Sequence, residues 1–140
     1  QHIQKKIYKI NSIMTTQTLN DITKFPLPNT SFNIQRSTIC EILDQLFTFS
    51  DKINIKYIDN TIIFKTMEDN ISTKMLYTEN IPHIDEKISN FYSLKYLYKL
   101  SKFANYFDTI KIYISNNNPI SINCKNEHLH ITYIVGHICH

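Results

Sequence analysis

The polar and apolar positions of this chain follow one arrangement twice. Residues 38–49 and 93–105 have apolar side chains at helical spacing, and short β-branched stretches with alternating polarity lie around them. A strand is predicted before each helix, at 31–35 and 84–89, and three strands after each, at 53–58, 61–66 and 71–77, then at 109–115, 120–124 and 129–135. The helix starts are 55 residues apart. This period predicts a duplicated strand-helix-strand-strand-strand unit and an α+β fold.

The second helix separates its apolar residues from its lysines. At about 100° per residue, one side carries Leu94, Leu97, Leu100, Ser101 and Ala104, and the other carries Lys95, Lys99 and Lys102. No glutamate is interleaved with these lysines, so the row is free to face an anion. The alternative is an ordinary solvated surface.

The first helix has an acidic outer side. Its pattern turns four residues inward, Ile39, Ile42, Leu43 and Leu46, and four outward, Glu41, Asp44, Gln45 and Thr48. Thr38 and Glu41 have the spacing of a capping box, which predicts a helix start at Thr38.

Residues 1–30 do not fit the duplicated unit. Residues 6–14 are strand-like, residues 15–24 are polar without a sustained period, and Phe25-Pro26-Leu27-Pro28 follows. The two prolines hold the backbone extended and leave Phe25 and Leu27 without an obvious core to enter. This predicts a connector with apolar residues for a partner. The alternative is that both side chains cover the edge of the domain core.

Composition removes several classes of function. The chain has 140 residues, a net charge of +3 and one glycine, Gly136. Phosphate-binding loops and dinucleotide fingerprints need several glycines, and no GxSxG sequence occurs, so an enzyme is the least favoured class. The polar N-terminus and the absence of a long apolar run predict an intracellular chain without membrane contact.

The cysteines and histidines do not form a known metal-binding motif. Cys40, Cys124 and Cys139 are odd in number and favour free thiols. A C-terminal group could attract zinc, namely His128, His130, His137, Cys139 and His140, but its spacing matches no common finger or knuckle. Neither a metal site nor a cofactor is predicted.

The order of elements resembles the C-terminal part of the eukaryotic and viral sliding clamp, the proliferating cell nuclear antigen family. Leu94-Lys95-Tyr96-Leu97 is similar to that family's Leu-Arg-Tyr-Leu, and residues 131–137 (ITYIVGH) to its closing Leu-Lys-Tyr-Tyr-Leu-Ala-Pro strand. Phe25-Pro26-Leu27-Pro28 is similar to the end of its interdomain connecting loop. The resemblance divides the chain into 1–14, the last strand of a preceding clamp domain, 15–30, the connector, and 31–140, the C-terminal domain.

The resemblance implies a DNA polymerase processivity factor. It encircles duplex DNA without sequence specificity, with antiparallel sheets outside and two helices on the DNA side, and localises to the nucleus or a viral replication compartment. It also implies a clamp loader, polymerases and other clamp-binding proteins as partners. The DNA-facing residues would be Lys95, Tyr98, Lys99 and Lys102. The peptide groove would be formed by Phe25, Leu27, Pro28, Ile134, Gly136 and His137.

The resemblance further implies a ring of six such domains, a trimer of two-domain subunits in that family. The strand at 71–77 would be a subunit edge, with Ile71, Thr73, Met75 and Tyr77, and its partner the strand at 6–14 of the next chain, with Ile7 and Ile10. Two departures stand against full identity. Glu41 and Asp44 align where the family commonly has arginines facing DNA, and Gly136-His137 replaces its Ala-Pro. The alternative function is a clamp-derived viral interaction or transcription factor that no longer encircles DNA.

Overall fold

Two five-stranded sheets and two helical regions enclose one core. The structure, a computed structural model, describes residues 6–12, 27–68 and 70–139. Its strands are β1 (Lys6–Ser12), β2 (Ser31–Gln35), β3 (Lys52–Asp59), β4 (Thr61–Glu68), β5 (Ile71–Tyr77), β6 (Ile84–Ser93), β7 (Thr109–Tyr113), β8 (Ile120–Lys125), β9 (Leu129–Val135) and β10 (His137–Ile138). Its helices are α1 (Arg36–Phe47), α2 (Leu94–Tyr98) and α3 (Leu100–Phe103), with a 3₁₀ turn at Ala104–Tyr106.

The predicted duplication is confirmed, and its two units are interlocked. Sheet A has the order β1-β9-β8-β7-β2, and sheet B has the order β10-β6-β3-β4-β5. The first strand of each unit therefore pairs in the sheet of the other unit: β2 pairs with β7, and β6 pairs with β3. Since each sheet takes a strand from both units, neither unit forms its sheet alone.

Strand alternation builds the core as predicted. On β7, Ile110 and Ile112 are buried while Thr109 and Lys111 are exposed. The inner faces of both sheets meet at Phe32 and Tyr57, whose rings stack edge to face with centroids 5.7 Å apart. The buried sides of the helices complete this core.

Helix α1 begins and ends two residues earlier than predicted. The capping-box prediction is wrong, since Thr38 lies inside the helix and the N-cap residue Gln35 makes no side-chain cap hydrogen bond. Instead, the backbone N–H of Arg36 donates to the carbonyl of Asp108 at 2.9 Å. A tertiary contact thus satisfies one of the unpaired amides that a cap would otherwise serve.

The predicted helix at 93–105 is divided into α2, α3 and the 3₁₀ turn. Ser93 is its N-cap, and its side chain accepts from the backbone N–H of Tyr96 at 3.4 Å. The helix tightens at Lys99, whose N–H donates to the carbonyl of Tyr96, three residues back. Two residues further on, the hydroxyl of Ser101 donates to the carbonyl of Tyr98 at 2.8 Å and competes for that acceptor.

Asparagine and aspartate occupy the left-handed positions of the tight turns. Positive φ angles occur at Asp59, Asn70, Asn80 and Asn117, among the described residues. Asn117 lies in the Asn-Asn-Asn-Pro turn between β7 and β8. The single glycine, Gly136, does not adopt a positive φ angle.

The remaining strand predictions differ only at their ends. The bounds of β2, β5 and β9 are those predicted, while β3, β4, β6 and β8 are longer and β7 is shorter. Strand β10, which pairs with β6, was not predicted. Residues 13–14 of the predicted first strand, most of the connector and His140 lie outside the described residues. No helix of the described ranges is long and apolar enough to cross a membrane.

Candidate nucleic-acid and partner interfaces

The lysine row lies on the surface of the helical side. Lys95, Lys99 and Lys102 are exposed. On the opposite side Leu94, Leu97, Leu100 and Ala104 are buried, and Ser101 is half buried. The predicted orientation of this helical region is therefore confirmed, although the helix is segmented. The ammonium of Lys99 lies 5.0 Å from the ring centroid of Tyr96, a cation–π contact of about 0.5–1 kcal/mol at an exposed site. That contact limits how freely Lys99 extends.

Tyr98 is joined to helix α1 and is not a free surface residue. Its hydroxyl donates to the carboxylate of Asp44 at 3.0 Å, and its ring centroid lies 4.5 Å from that of Phe47. The hydrogen bond to Asp44, with the charge of that carboxylate, raises the pKa of the Tyr98 phenol. Helices α1 and α2 thus contact each other through Tyr98, and α1 exposes Asp44 and Glu41.

Part of the predicted peptide groove maps onto sheet A. Leu27 is half exposed and Pro28 half buried, just before the edge strand β2. Ile134 is half buried on β9, which has two strands between it and β2. Gly136 is buried after β9, and His137 lies on β10, in sheet B. With neighbouring strands about 4.8 Å apart, β2 and β9 are separated by roughly 14 Å, so these residues form the two sides of a shallow surface and not a closed pocket. Phe25 lies outside the described residues.

The residues between these two sides were not predicted from the sequence. The pairing register places Ser31, Tyr113, Ser121 and Ile134 in one row across β2, β7, β8 and β9. Ser121 is buried, and its hydroxyl has no hydrogen-bond partner among the described residues. A buried hydroxyl without a hydrogen-bond partner is uncommon in proteins. The sequence offered no signal for it, because alternation marks a face but not its neighbours on other strands.

Strand β1 is one end strand of sheet A, whose other end is β2, and β5 is one end strand of sheet B, whose other end is β10. β5 carries the predicted interface residues Ile71, Thr73, Met75 and Tyr77 on one side, of which Ile71 is exposed and Tyr77 buried. β1 pairs in parallel with β9, with Ile7 opposite His130 and Ile10 opposite Tyr133. This intrachain pairing was not predicted. In the described ranges, each of the two strands has one edge without a strand partner.

The histidines at the C-terminus do not converge. The ring of His130 contacts the side-chain amide of Asn123, and the Cys139 sulfur lies 3.9 Å from Nε2 of His137. No group of three metal-ligating side chains occurs in the part of the chain that the structure describes. His140 lies outside it.

Comparison with known proteins identifies the fold. No protein-family model and no curated protein matches this sequence. Among solved structures, the proliferating cellular nuclear antigen of Entamoeba histolytica superposes with a TM-score of 0.74 at 17% sequence identity, covering 83% of this chain and 49% of that one. The chain has a sliding-clamp fold. It spans about half the length of this structural neighbour.

The helices and the outer faces of the sheets lie on different sides of the domain. Both helices lie together on one side, and the outer faces of the sheets form the other sides. The α+β clamp fold implied by the resemblance is therefore confirmed. The roles of individual residues stay predictions.

Proposed function

We propose that this chain is a sliding-clamp domain of a DNA polymerase processivity factor, acting by encircling duplex DNA and tethering other proteins to it. The observation that carries the proposal is a clamp fold whose helical side presents Lys95, Lys99 and Lys102 to solvent. It would act in the nucleus or in a viral replication compartment. Residues 1–14, 15–30 and 31–140 would be the end of a preceding domain, the connector and the clamp domain.

The chemistry of the helical side suits sliding. Lysine ammonium groups attract phosphates without reading bases, and such contacts hold a protein on DNA while leaving it free to move along it. Lys95, Lys99 and Lys102 would each make screened phosphate contacts, and Tyr98 would lie beside them.

The outer face of sheet A would bind partner proteins. Leu27 and Pro28 on one side and Ile134, Gly136 and His137 on the other would hold the aromatic and aliphatic anchors of a short peptide. Polymerases, other clamp-binding proteins and a clamp loader are the partners of this surface. The outer edges of β5 and β1, which have no strand partner among the described residues, would join neighbouring copies into a ring.

Topological retention on DNA tests the proposal directly. The purified protein, with a clamp loader or at high concentration, is bound to closed circular DNA on beads, which is then cut once by a restriction enzyme. Retention on the circle with release on cutting is the expected result. Substitution of Lys95, Lys99 and Lys102 by alanine should lower retention, whereas a matched triple substitution of Lys87, Lys111 and Lys125 should not. Equal retention on cut and closed DNA would contradict encirclement.

A second candidate function rests on the acidic part of the helical side. Asp44 holds the Tyr98 hydroxyl, and Glu41 is exposed on the same helix. Each carboxylate repels a nearby phosphate by about 1 kcal/mol or less at physiological salt. This arrangement favours a clamp-derived interaction or transcription factor that binds proteins without encircling DNA. In that case the retention experiment shows no release on cutting, while peptide binding to the outer face of sheet A persists.

A further inference from the structure

The outer face of sheet B carries more lysines than the helical side. Alternation along β3 sends Ile53, Ile55 and Tyr57 into the core and leaves Lys52 and Lys56 on the opposite face. By the same alternation Lys65 on β4 and Lys74 on β5 share that face. The proposed function uses none of these four lysines.

The strand register places Lys56, Lys65 and Lys74 in one row across the strands, called the lysine file below. Lys65 on β4 lies directly opposite Lys74 on β5. Asn54 on β3 lies opposite Lys65, so Lys56, two residues further along β3, is the diagonal neighbour of Lys65. The file Lys56-Lys65-Lys74 crosses three neighbouring strands, a distance of about 10 Å in the pairing direction. Like charges directly opposite each other destabilise a sheet. Within the described ranges no carboxylate lies within 4 Å of these ammonium groups, so no described carboxylate relieves the repulsion by an ion pair.

An open cleft adjoins this file. Its volume is about 710 Å³, and Lys56 and Lys65 line it together with Asn54, Ser89, Met67 and Phe91. This volume is within the range of small-ligand sites, about 300–1,000 Å³. Met67 is 63% exposed, and Phe91, opposite Asn54 on β6, is half buried. Apolar surface for a flat ring and positive charge for a phosphate therefore lie side by side.

We propose that the outer face of sheet B binds single-stranded nucleic acid, with phosphates on the Lys56-Lys65-Lys74 file and a base in the cleft against Phe91 and Met67. Proteins that bind single strands without sequence preference combine a basic track with aromatic rings on which bases stack. Lysine is a point charge without the fork geometry of arginine, which suits phosphate attraction without readout.

An acidic peptide fits this face less well than a nucleic acid. The face of a sheet presents side chains only, so a peptide lying across it would find no backbone partners for its own N–H and C=O groups. Peptides that recognise sheets pair with an edge strand instead. A nucleic-acid strand has no such backbone donors to satisfy, and it brings both the charge and the flat rings for which the face is suited.

This face is separate from the duplex-binding surface of the proposed function. Ile55 and Phe64, on the inner face of sheet B, line the same small apolar cavity as Leu43 and Leu97 of the helices. The helices therefore lie on the opposite side of sheet B from the lysine file. A clamp on duplex DNA would still expose this face to a displaced single strand.

Two carboxylates on the cleft wall orient the ligand. Asp51 and Glu68 line the cleft, and the Oε2 atom of Glu68 accepts from the Ser50 hydroxyl at 3.1 Å. Their negative charge repels phosphate and confines it to the lysine file. Glu68→Gln should therefore strengthen single-strand binding, while leaving duplex retention unchanged.

Salt-dependent binding of a fluorescein-labelled oligothymidylate tests the proposal. Anisotropy titrations compare the wild type with a triple substitution of Lys56, Lys65 and Lys74 by glutamine and with a control in which Lys111 and Lys125, exposed on sheet A, are replaced by glutamine. The first variant should lose about 2 from the slope of log affinity against log salt, since each phosphate contact on a single strand contributes about 0.7. The control should keep the wild-type slope for the single strand. Phe91→Leu should weaken binding without changing the slope.

Competition identifies the ligand class. An unlabelled single strand should displace the probe, whereas polyglutamate of equal charge or thymidine monophosphate should not at the same concentration. Displacement by polyglutamate would indicate a binding face for acidic proteins, and displacement by the mononucleotide would indicate a nucleotide site. Either result overturns the proposal. An unchanged salt slope in the variant of Lys56, Lys65 and Lys74 also overturns it. Lys74→Gln, at an exposed edge position, gives a smaller slope change if the triple variant fails to fold. Duplex retention is measured in a separate experiment, so failure of the ring proposal is distinguishable from failure of the single-strand proposal.

Discussion

Asn90 joins the two sheets at the scale of a single residue. Its buried side chain donates to the Tyr92 hydroxyl at 2.9 Å and to the Ser115 carbonyl at 2.8 Å, and it accepts from the backbone N–H of Asn117 at 3.0 Å. Strand β6 of sheet B is thereby fixed to the β7–β8 turn of sheet A. Burial raises the pKa of the Tyr92 phenol, so this hydroxyl stays neutral throughout the physiological range.

Replacing Asn90 by alanine should lower the free energy of unfolding by about 2–4 kcal/mol, because it leaves the Asn117 amide and the Ser115 carbonyl without partners. Urea denaturation of the purified protein measures the change. Asn118→Ala is the matched control, since the Asn118 side chain is exposed and makes only local bonds to Ser115 and Asn116. Equal destabilisation of the two variants would contradict the role given to Asn90.

The three cysteines should differ in reactivity. Burial raises the pKa of Cys124 to about 12 and also raises that of Cys40, which is half buried near Arg36, whereas Cys139 is exposed. Thiolate is the reactive form, so iodoacetamide at pH 8 should modify Cys139 first, Cys40 slowly and Cys124 only on unfolding. Mass spectrometry of peptides from timed reactions measures the order; early labelling of Cys124 in the native protein would contradict it.

Cys124 also makes stability depend on pH. Its pKa rises from an ordinary value of 9.0 to about 12 on folding, so above pH 9 the unfolded chain loses a proton that the folded chain keeps. This contribution to the free energy of unfolding is complete below pH 9 and falls as pH rises towards 12. Cys124→Ala should flatten the alkaline side of a stability profile.

At the scale of elements, the helical side combines two helices of different charge. Helix α1 exposes Glu41 and Asp44, and α2 and α3 expose lysines. The Asp44–Tyr98 hydrogen bond draws one carboxylate towards the second helix. In the proposed function, the lysines of this surface are the residues that contact phosphates.

Alanine at Lys95, Lys99 and Lys102 should weaken duplex binding and reduce its salt dependence. Each duplex phosphate that a lysine no longer neutralises lowers the slope of log affinity against log salt by about 0.9. The fold should persist, because these side chains point away from the buried leucines. Duplex titrations at several salt concentrations, with circular dichroism as the control for folding, measure both. An unchanged duplex slope would remove the DNA-facing assignment.

A substitution of the connector residue Leu27 distinguishes two hypotheses: that this side chain contacts a partner peptide, and that it covers the edge of the domain core. Leu27 is 50% exposed, so Leu27→Ser should cost little stability. A peptide with a glutamine, an aliphatic residue and two terminal aromatics should bind the wild type and lose most of its affinity for the variant. Isothermal titration and thermal melting of both proteins measure the two effects. A variant that unfolds yet retains peptide affinity would show Leu27 to be core cover.

At the scale of the whole molecule, β5 is an end strand of sheet B and β1 is an end strand of sheet A. Within the described ranges, neither has a strand partner on its outer edge. Open edges of this kind pair with other chains unless they are protected. Ring assembly through β5 and the β1 strand of the next copy would satisfy both edges.

A pair of proline substitutions on β5 tests this assembly. Adjacent residues of an edge strand direct their amides to opposite sides, so of Met75→Pro and Leu76→Pro one removes an outward amide and the other an amide bonded to β4. The variant that removes the outward amide should stay folded and lose oligomerisation. Light scattering gives the molar mass of wild type and variants. A monomeric wild type, or an unchanged mass in both folded variants, would place the interface elsewhere.

The alternation of apolar and polar residues was sufficient to predict the duplicated unit, most strand bounds and the two faces of each helix. These features depend on local periodicity, which one stretch of chain carries by itself. The orientation of Lys95, Lys99 and Lys102 was predictable for the same reason. The tertiary structure decided the features that depend on contacts between residues far apart in the chain. The start of α1 depends on the Asp108 carbonyl, and the exchange of β2 and β6 between units depends on packing. The lysine file on sheet B and the row through Ser121 depend on strand register, which brings together residues that no spacing along the chain connects.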